Sequence, residues 1–525
     1  MSFPSGYRKS LATKLALLLV LLLAGAVWVN AQSADGQTGA SADPAQTQNT
    51  NSQDTSGAVP AATGVDTTTE LSENPPVTGL DQPKLERVFL ERSYLAPRAE
   101  VSQGFDSNFP GVFVNSQASA VTRAFGSVAL EKLYKVHPFE LNYVGGFTAF
   151  QGLGSHVYLV QSVDATQRFR WRTGQFALRN SFSYLPEGAF GLGSFGGAGG
   201  YGGGGGLGGL GGGGGTGGLG TPGFSNALFG SVGNQPRISN MTTADVTQYL
   251  SPRSSITLAG GYGLTDFLGT AQPSLSLFCP VGGQCYLNSN EAIAQVGYNY
   301  QISHGNQIGL SYAYEQFHFP GITAGSINAN VWQLLFSHRI TGRLNFLFGG
   351  GPELVRTHET VPITLLGIIT VPITLDSKFL TGSARVELTY RASGRTTYTA
   401  SFMRFVNPGS GLFGGANSDV FHVSANHTLK RAWSVMGDVG YSRNSRLLIQ
   451  NAAAAGNAGT YQFLYLGGSM RRQLGRKFGL FISYQYNNFL FGSGYCGAAG
   501  HCPNSYGRQM ALVGVEWTPR PLRLD

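Results

Sequence analysis

Charged side chains recur at alternate positions in several segments of this sequence, which is the spacing that would line a channel with charge. Successive side chains of a β-strand point to opposite faces, so residues two apart share one face. Rings of charge inside a pore set its ion preference. The predicted chemistry is therefore electrostatic selection of solutes, and the candidate pore-lining residues are Arg168, Arg170, Arg172, Arg179, Arg339, Arg385, Glu387, Arg391, Glu140, Glu315, Asp438 and Glu516.

This set of candidate residues has two interpretations. Arginine outnumbers the acidic residues in it, which predicts a mild preference for anions. Alternatively, oppositely charged side chains pair across neighbouring strands and only hold the wall in shape. The spacing alone favours neither interpretation.

Catalytic and ligand-binding motifs are weak in this sequence. His422 and Ser424 share a predicted strand face and Asp438 lies on the next strand, but catalysis needs a nucleophile, a base and an orienting group at fixed distances. The glycine-rich stretch 191–220 contains phosphate-loop spacings, yet none follows a strand and opens a helix as that motif requires. We therefore predict that the protein is not an enzyme and that it has no metal site and no cofactor.

Four cysteines fall into two local pairs, Cys279 with Cys285 and Cys496 with Cys502. Each pair lies in a predicted loop that contains Gly or Pro. In an oxidising compartment this spacing indicates two small disulfides that close the loops. Zinc is the alternative, but no histidine accompanies the first pair and only His501 accompanies the second.

The elements that must position the charged residues are β-strands. Apolar or small residues alternate with polar ones in the segments 292–302, 308–315 and 380–391. Tight turns separate such segments in alternation with longer connections rich in Gly, Pro and Asn. The count predicts an all-β, transmembrane, antiparallel up-and-down barrel of about 18 strands (16–18), with short periplasmic turns and long extracellular loops. The tight turns are expected near 136–138, 172–174, 251–253, 304–306, 341–343, 393–395, 430–431 and 475–477.

The composition places these strands in a membrane. Charged residues make up only 12% of the chain and aromatic residues another 12%. No stretch resembles a membrane-spanning helix, and a closed barrel is the other structure that satisfies every backbone group in lipid. A soluble protein of several β-sandwiches is the alternative. Aromatic residues near the predicted strand ends suit the girdles at the two lipid interfaces, among them Trp171, Tyr184, Tyr300, Tyr390, Trp433 and Trp517.

The N-terminal region indicates export. Basic residues precede an apolar run over 15–29, and small residues follow, so we predict a signal peptide over 1–31 that is cleaved after Ala31. Its basic residues are Arg8, Lys9 and Lys14. Without them the chain keeps 35 − 3 = 32 basic residues against 27 acidic ones, and it has no basic run of the kind that binds nucleic acid.

Three further regions complete the predicted organisation. We expect 32–96 to be a disordered, low-complexity periplasmic segment, with a short helix, a small plug or a linker at 84–95, and the barrel to cover 97–525. The glycine-rich loop 186–236 lies in the third long loop. The loop near 358–376 repeats Val-Pro-Ile-Thr-Leu around Gly367, which predicts two strands that extend beyond the membrane or, alternatively, an apolar tip that contacts a partner.

Over about residues 97–520 the sequence resembles the porin-type outer-membrane barrels of Gram-negative bacteria. Tyrosine-rich strands joined by turns such as Ser393-Gly394-Arg395 are also similar to barrels associated with exopolysaccharide export. The resemblance implies a multi-pass barrel in the cell outer membrane, insertion by the barrel-assembly machinery, a homotrimer as a candidate assembly, and a third loop that either folds into the lumen or stays on the surface. These families usually end on an aromatic residue. Here Trp517 is followed by Pro519–Asp525, so either the tail is tolerated or Trp517 serves as the terminal aromatic residue.

The function that these observations predict is passive diffusion of ions or small hydrophilic solutes through an outer-membrane pore. The alternatives are a polysaccharide-export barrel, or a surface-display or adhesion barrel, with an occluded lumen. Measurable conductance would separate the first function from the others.

Overall fold

The computed structural model describes the strands and most of the tight turns that join them. The described residues are 76–79, 93–109, 117–134, 137–151, 156–185, 236–268, 288–320, 325–365, 369–409, 414–430, 432–448, 460–491 and 505–524. They belong to the unit Thr68–Asp525. The predicted signal peptide, the glycine-rich stretch 191–220 and the four cysteines lie outside the described residues.

Eighteen antiparallel strands form one sheet that closes on itself, because β1 pairs with both β2 and β18. Each strand from β2 to β17 pairs with its two sequence neighbours, and β18 pairs with β17 and β1. The strands are β1 (Tyr94–Phe109), β2 (Gln117–Lys132), β3 (Phe139–Gln151), β4 (His156–Trp171), β5 (Gly174–Leu185), β6 (Arg237–Ser251), β7 (Ser254–Phe267), β8 (Ser289–Ser303), β9 (Asn306–Phe319), β10 (Gly325–Thr341), β11 (Leu344–Leu365), β12 (Ile369–Ser393), β13 (Thr396–Asn407), β14 (Ala416–Lys430), β15 (Trp433–Arg446), β16 (Thr460–Leu474), β17 (Phe478–Phe491), β18 (Ser505–Trp517) and the two-residue β19 (Leu522–Arg523).

The predicted up-and-down barrel with 18 long strands is confirmed. The eight tight turns join the strand pairs as expected, and in the turn between β16 and β17 Gly475 has a φ of 68°, a conformation that glycine adopts without strain. All eight turns lie at one end of the barrel, which we call the turn end, and the nine other connections lie at the opposite end, the loop end. Among the described residues no helix is long and apolar enough to cross a membrane.

The start of the barrel differs from the expectation at two places. Strand β1 begins at Tyr94 and not at 97, because Tyr94 and Leu95 pair with the tail residues Arg523 and Leu522 of β19. A helix or linker therefore does not extend to residue 95. Pro76–Gly79 lie against the inner wall, so these four residues depart from the expected disordered periplasmic segment.

The outer face of the barrel carries a band of exposed apolar side chains that begins at the turn end. Leu310 on β9 is 61% exposed, and Leu334 on β10, which pairs with it, is 53% exposed. Trp171, Tyr300, Tyr390 and Trp517 are exposed near the turn end of their strands. Apolar surface of this extent is stable only in contact with lipid, and aromatic residues concentrate at its edge. Of the two predicted aromatic girdles, one is thus present at the turn end.

Polarity inverts on both faces of β9 as the strand approaches the loop end. On the outer face, Leu310 gives way to the exposed Gln316 and His318. On the inner face, polar Ser311 gives way to the buried Phe317 and Phe319. A strand with a polar outside and an apolar inside is typical of a sheet surrounded by water. The loop-end part of this wall therefore extends beyond the lipid.

Two apolar clusters line the inside of the barrel toward the loop end. The larger joins β9, β10 and β11 to the ends of β13 and β15, and the smaller joins β2, β3 and β18. The larger cluster consists of Ala313, Phe317, Phe319, Ile327, Ala329, Val331, Val355, Val406 and Leu448. The smaller consists of Val121, Phe150, Met510 and Leu512. The inner wall is thus polar toward the turn end and partly apolar toward the loop end.

Candidate functional site: the inner wall of the barrel

The inner wall is formed by every second residue of each strand, and this alternation carries most of the predicted pore-lining charges inward. Ser383, for example, is buried on the inner face of β12, so Arg385, Glu387 and Arg391 follow it on the same face. The same parity places these predicted residues on the inner face of their strands: Arg168, Arg170, Arg179, Arg339, Glu140, Glu315, Asp438 and Glu516.

Arg172 is placed differently from the prediction. Strand β4 ends at Trp171, so Arg172 lies in the tight turn that follows and its side chain is exposed. The period of two predicts an inward position only while the strand continues. Arg172 therefore belongs to the mouth at the turn end and not to the wall.

The inward arginines are paired with acidic residues wherever the structure gives their contacts. Arg168 on β4 forms an ion pair with Glu140 on β3, and Arg385 approaches Glu387 at 3.3 Å. Arg179 on β5 pairs with Asp245 on β6, an acidic residue that the sequence reasoning did not select. Opposite charges on neighbouring strands within reach of one another are a stabilising element of sheets. Arg385 and Glu387 lie on the same strand, β12, so the interpretation in which charges pair across neighbouring strands is favoured for Arg168 and Arg179.

A network at the turn end joins the first and last strands of the barrel. Glu100 on β1 lies directly opposite Glu516 on β18, and both are buried on the inner face. Arg98 forms an ion pair with Glu516, and Arg471 on β16 contacts the same carboxylate. Arg98 also lies 3.9 Å from Glu100. Two facing carboxylates would repel each other, so the two guanidinium groups stabilise this part of the closure.

Toward the loop end a second buried ion pair joins the same two strands. The Nε of Arg508 on β18 donates to Oδ1 and Oδ2 of Asp106 on β1 at 3.0 and 2.8 Å, and its Nη2 contacts Oδ2 as well. Both side chains are almost fully buried. The backbone N–H of Asn108 donates to the same carboxylate at 3.0 Å. Sequence reasoning missed this pair because nothing in one sequence shows that positions 402 residues apart are neighbours.

Acidic residues are more numerous on the described inner wall than the predicted set indicated. Those that the sequence reasoning did not select are Glu100, Asp106, Glu131, Asp164, Asp245, Glu291, Glu353 and Glu359. Glu291, Glu315 and Glu353 are each buried, on β8, β9 and β11. Each of these residues lies on the polar face of its strand, which the alternation of side chains could have shown. They were missed because the candidate residues came from segments rich in arginine. The described wall therefore lacks the surplus of arginine that an anion preference would require.

The three residues considered for hydrolysis do come together. Ser424 on β14 lies directly opposite Asp438 on β15, and Nε2 of His422 is 3.9 Å from Oδ2 of Asp438. That distance exceeds a hydrogen bond, so the pair lacks the contact by which an acid orients a catalytic base. The absence of enzyme activity stays a prediction. In the described part of the chain, no group of three or more His, Cys, Asp or Glu side chains could hold a metal ion.

The closed sheet and its apolar outer band indicate the environment in which the barrel lies. A closed barrel leaves no unpaired strand edge, and this one carries its exposed apolar side chains on the outside and polar ones inside. These are the properties of a multi-pass barrel of the outer membrane.

Comparison with known proteins finds similarity to solved structures alone. The sequence matches no protein-family model and no curated protein. The structure is similar to the ferric citrate transporter FecA at 10% identity and a TM-score of 0.38, over 78% of this chain and 63% of that one. It is similar to the ferric-catecholate import receptor Fiu from E. coli K12 (8%, 0.39, 81% of each chain) and to Pseudomonas aeruginosa OccK2 (9%, 0.35, 82% and 99%). The chain spans less than two thirds of the length of FecA.

Proposed function

We propose that the protein is an outer-membrane pore for passive diffusion of ions or small hydrophilic solutes. The observation that carries the proposal is the polar inner wall, which runs from the turn end through the middle of the strands. Gln295, Asn299 and Ser311 are examples on β8 and β9, and the paired charges described above add to them. A wall of this composition is wetted by water and offers hydrogen bonds to a hydrophilic solute, whereas an apolar wall would exclude both.

The pairing of the wall charges refines the expected selectivity. An arginine that forms an ion pair contributes little net potential along the pore, because the field of its partner opposes it. The described acidic residues also match the arginines in abundance. We therefore expect weak ion selectivity, in place of the mild anion preference that the arginine surplus predicts.

Single-channel recording tests the proposed pore. The mature chain, without residues 1–31, is refolded and inserted into a planar bilayer, and heat-modifiable gel mobility confirms that the barrel has folded. Stable conductance steps are expected. A folded barrel that gives no steps in any salt would contradict passive diffusion.

An occluded barrel for polysaccharide export or surface display is the second candidate, and two observations favour it. Apolar clusters line the lumen toward the loop end, where an open aqueous channel would expose them to water. Pro76–Gly79 also lie inside the barrel against its wall. Loss of capsule or matrix on deletion of the protein, together with an absence of conductance, would favour this function over the first.

A further inference from the structure

A short tight turn upstream of the barrel is buried against its inner wall. Val77 and Thr78 are each 1% exposed, and the N–H of Gly79 donates to the carbonyl of Pro76 at 2.9 Å. The turn contacts β7, β8 and β9. Strand β1, which follows it in the chain, lies seven strands away around the barrel. The contact is therefore not a simple continuation of the neighbouring chain.

Every polar group of Thr78 is bound by a side chain of the wall. Its backbone N–H donates to Oδ1 of Asn299 at 2.9 Å, and its carbonyl accepts from Nε2 of Gln295 at 2.9 Å and from the Thr257 hydroxyl at 3.3 Å. Its own hydroxyl is 2.6 Å from that of Thr257 and accepts from Nδ2 of Asn299. Three wall residues on two strands thus provide hydrogen-bond partners for every polar group of Thr78. Buried polar groups need such partners, so this set of bonds specifies the position of Thr78.

Two glycines give the wall the shape that the turn requires. A Cβ on Gly297 of β8 would lie 2.4 Å from the Cβ of Thr78, and a Cβ on Gly309 of β9 would lie 2.6 Å from its Cγ2. The latter would also lie 2.8 Å from Cγ2 of Val77. Glycine weakens the interior of a strand, and it often marks a site where another backbone approaches closely. We call the hollow lined by Gly297, Gly309, Thr257, Gln295 and Asn299 the inner notch.

The inner notch lies where a bound turn narrows the lumen. Gly297 is in the middle of β8, whereas Thr257 and Gly309 are each the fourth residue of their strand from the turn end, so the turn is held inside the turn-end half of the barrel. The notch also belongs to the polar part of the wall, which a diffusing solute would follow. A peptide fixed there reduces the open cross-section and covers the amide and hydroxyl groups of the notch.

We propose that the inner notch is a binding site for the chain's own Pro76–Gly79 turn, which acts as a tethered plug. Release of the turn widens the lumen and exposes a site with amide and hydroxyl groups. The effect on conductance rests on the proposed pore function, whereas the contact itself does not. Two measurements separate the two claims.

Accessibility of the turn tests the contact. Val77→Cys, in a background with the four native cysteines replaced by serine, is folded in vesicles and labelled with a maleimide. The labelling is expected to accelerate about tenfold when Gln295→Ala and Asn299→Ala remove the wall amides, because local opening then costs less. The matched control is the double variant Gln485→Ala with Asn487→Ala, which removes two buried inner-wall amides on β17. It should leave the labelling rate unchanged. Equal rates in the parent and the notch variant would overturn the site.

Conductance tests the plug. Gly297→Val fills the notch with a residue that favours strands, and Gly260→Val is the control, since the nearest atom to its added Cβ is 3.6 Å away. We expect Gly297→Val, and a chain with Pro76–Gly79 replaced by serines, to show a higher unit conductance than the parent and the control. Unchanged conductance in a conducting parent would overturn the plug. If none of the folded barrels conducts, both the plug and the proposed pore are contradicted. The labelling experiment still tests the contact in that case.

Discussion

At the scale of single residues, the protein depends on charges that are buried and paired. The Asp106–Arg508 pair joins β1 to β18 with both side chains out of water, whereas the His358–Asp376 pair on the β11–β12 hairpin is exposed at 54% and 71%. A buried charge that loses its partner keeps its desolvation cost. An exposed charge is solvated and screened, so its pair contributes little. The two pairs should therefore respond differently to the same substitution.

Asp106→Asn should destabilise the barrel by about 3–5 kcal/mol, because it removes the negative charge that pairs with the buried Arg508 guanidinium. Urea unfolding in lipid vesicles measures the loss. Asp376→Asn is the matched control, and it should cost less than about 1 kcal/mol. Replacing Asp106 and Arg508 together by apolar residues should restore part of the stability. An equal cost for the two single variants would contradict the assignment of a buried pair at the closure.

Glu140→Gln should shift the pore toward anions, because it removes the negative charge that pairs with Arg168 on the inner wall. The reversal potential in a potassium chloride gradient measures the shift against the parent. Arg168→Gln should move it in the opposite direction. A shift of the same sign for both variants would mean that this pair does not face the conducting path.

At the scale of elements, the strands differ in how far they extend beyond the band that contacts lipid. Strands β11 and β12 pair with each other from Leu344–Tyr390 up to Leu365–Ile369, whereas β10 stops pairing with β11 at Glu359. Their outer parts therefore form a free hairpin. This agrees with the interpretation of the repeated Val-Pro-Ile-Thr-Leu motif as two extended strands, and contact of its tip with a partner remains a prediction.

Replacing 361–373 by a short turn should leave folding and unit conductance unchanged, since these residues pair only within the hairpin. The expected change in unfolding free energy is within about 0.5 kcal/mol, as for surface changes away from the core. Heat-modifiable mobility and bilayer recording check the two expectations. A loss of folded protein would show that the hairpin supports the rest of the barrel.

Trp517 is the last residue of β18, and it pairs with Ala99 and Phe478 at the turn end. Its indole is exposed on the outer face, where the barrel-assembly machinery could read it despite the tail that follows. Trp517→Ala should lower the amount of folded barrel in the outer membrane, while Trp517→Phe should retain it. If deletion of the tail from residue 519 abolished assembly and Trp517→Ala did not lower it, the assembly signal would lie in the tail instead.

At the scale of the whole molecule, the sequence predicts the strands and turns of the barrel better than it predicts the contacts inside the barrel. The period of two and the turn residues are local, so the 18 strands and all eight tight turns could be inferred. The contact of Thr78 with Asn299 and that of Asp106 with Arg508 depend on closure of the ring, which brings distant positions together. No local pattern encodes such contacts. Inward charges were predictable for the same local reason, but their pairing partners were not.

The position of the barrel in the membrane follows from its outer face. Leu310→Arg places a charge in the apolar band and should cost about 2–4 kcal/mol, whereas His318→Arg, on the same face of β9 toward the loop end, should cost about 0–1 kcal/mol. Unfolding in vesicles measures both. Similar costs would mean that the lipid extends to His318.

The inversion of polarity along β9 means that one strand is stabilised in two different solvents. At Leu310 the outer side chain stays in contact with lipid as long as the strand remains in the membrane, so local loosening there exposes no apolar surface to water and contributes little heat capacity. At Phe317 the side chain leaves water on folding, and its contribution is sensitive to temperature and to urea. Heating or urea should thus loosen the loop end of the barrel before the lipid-embedded part. The same chain would then behave in calorimetry as a soluble sheet attached to a membrane protein.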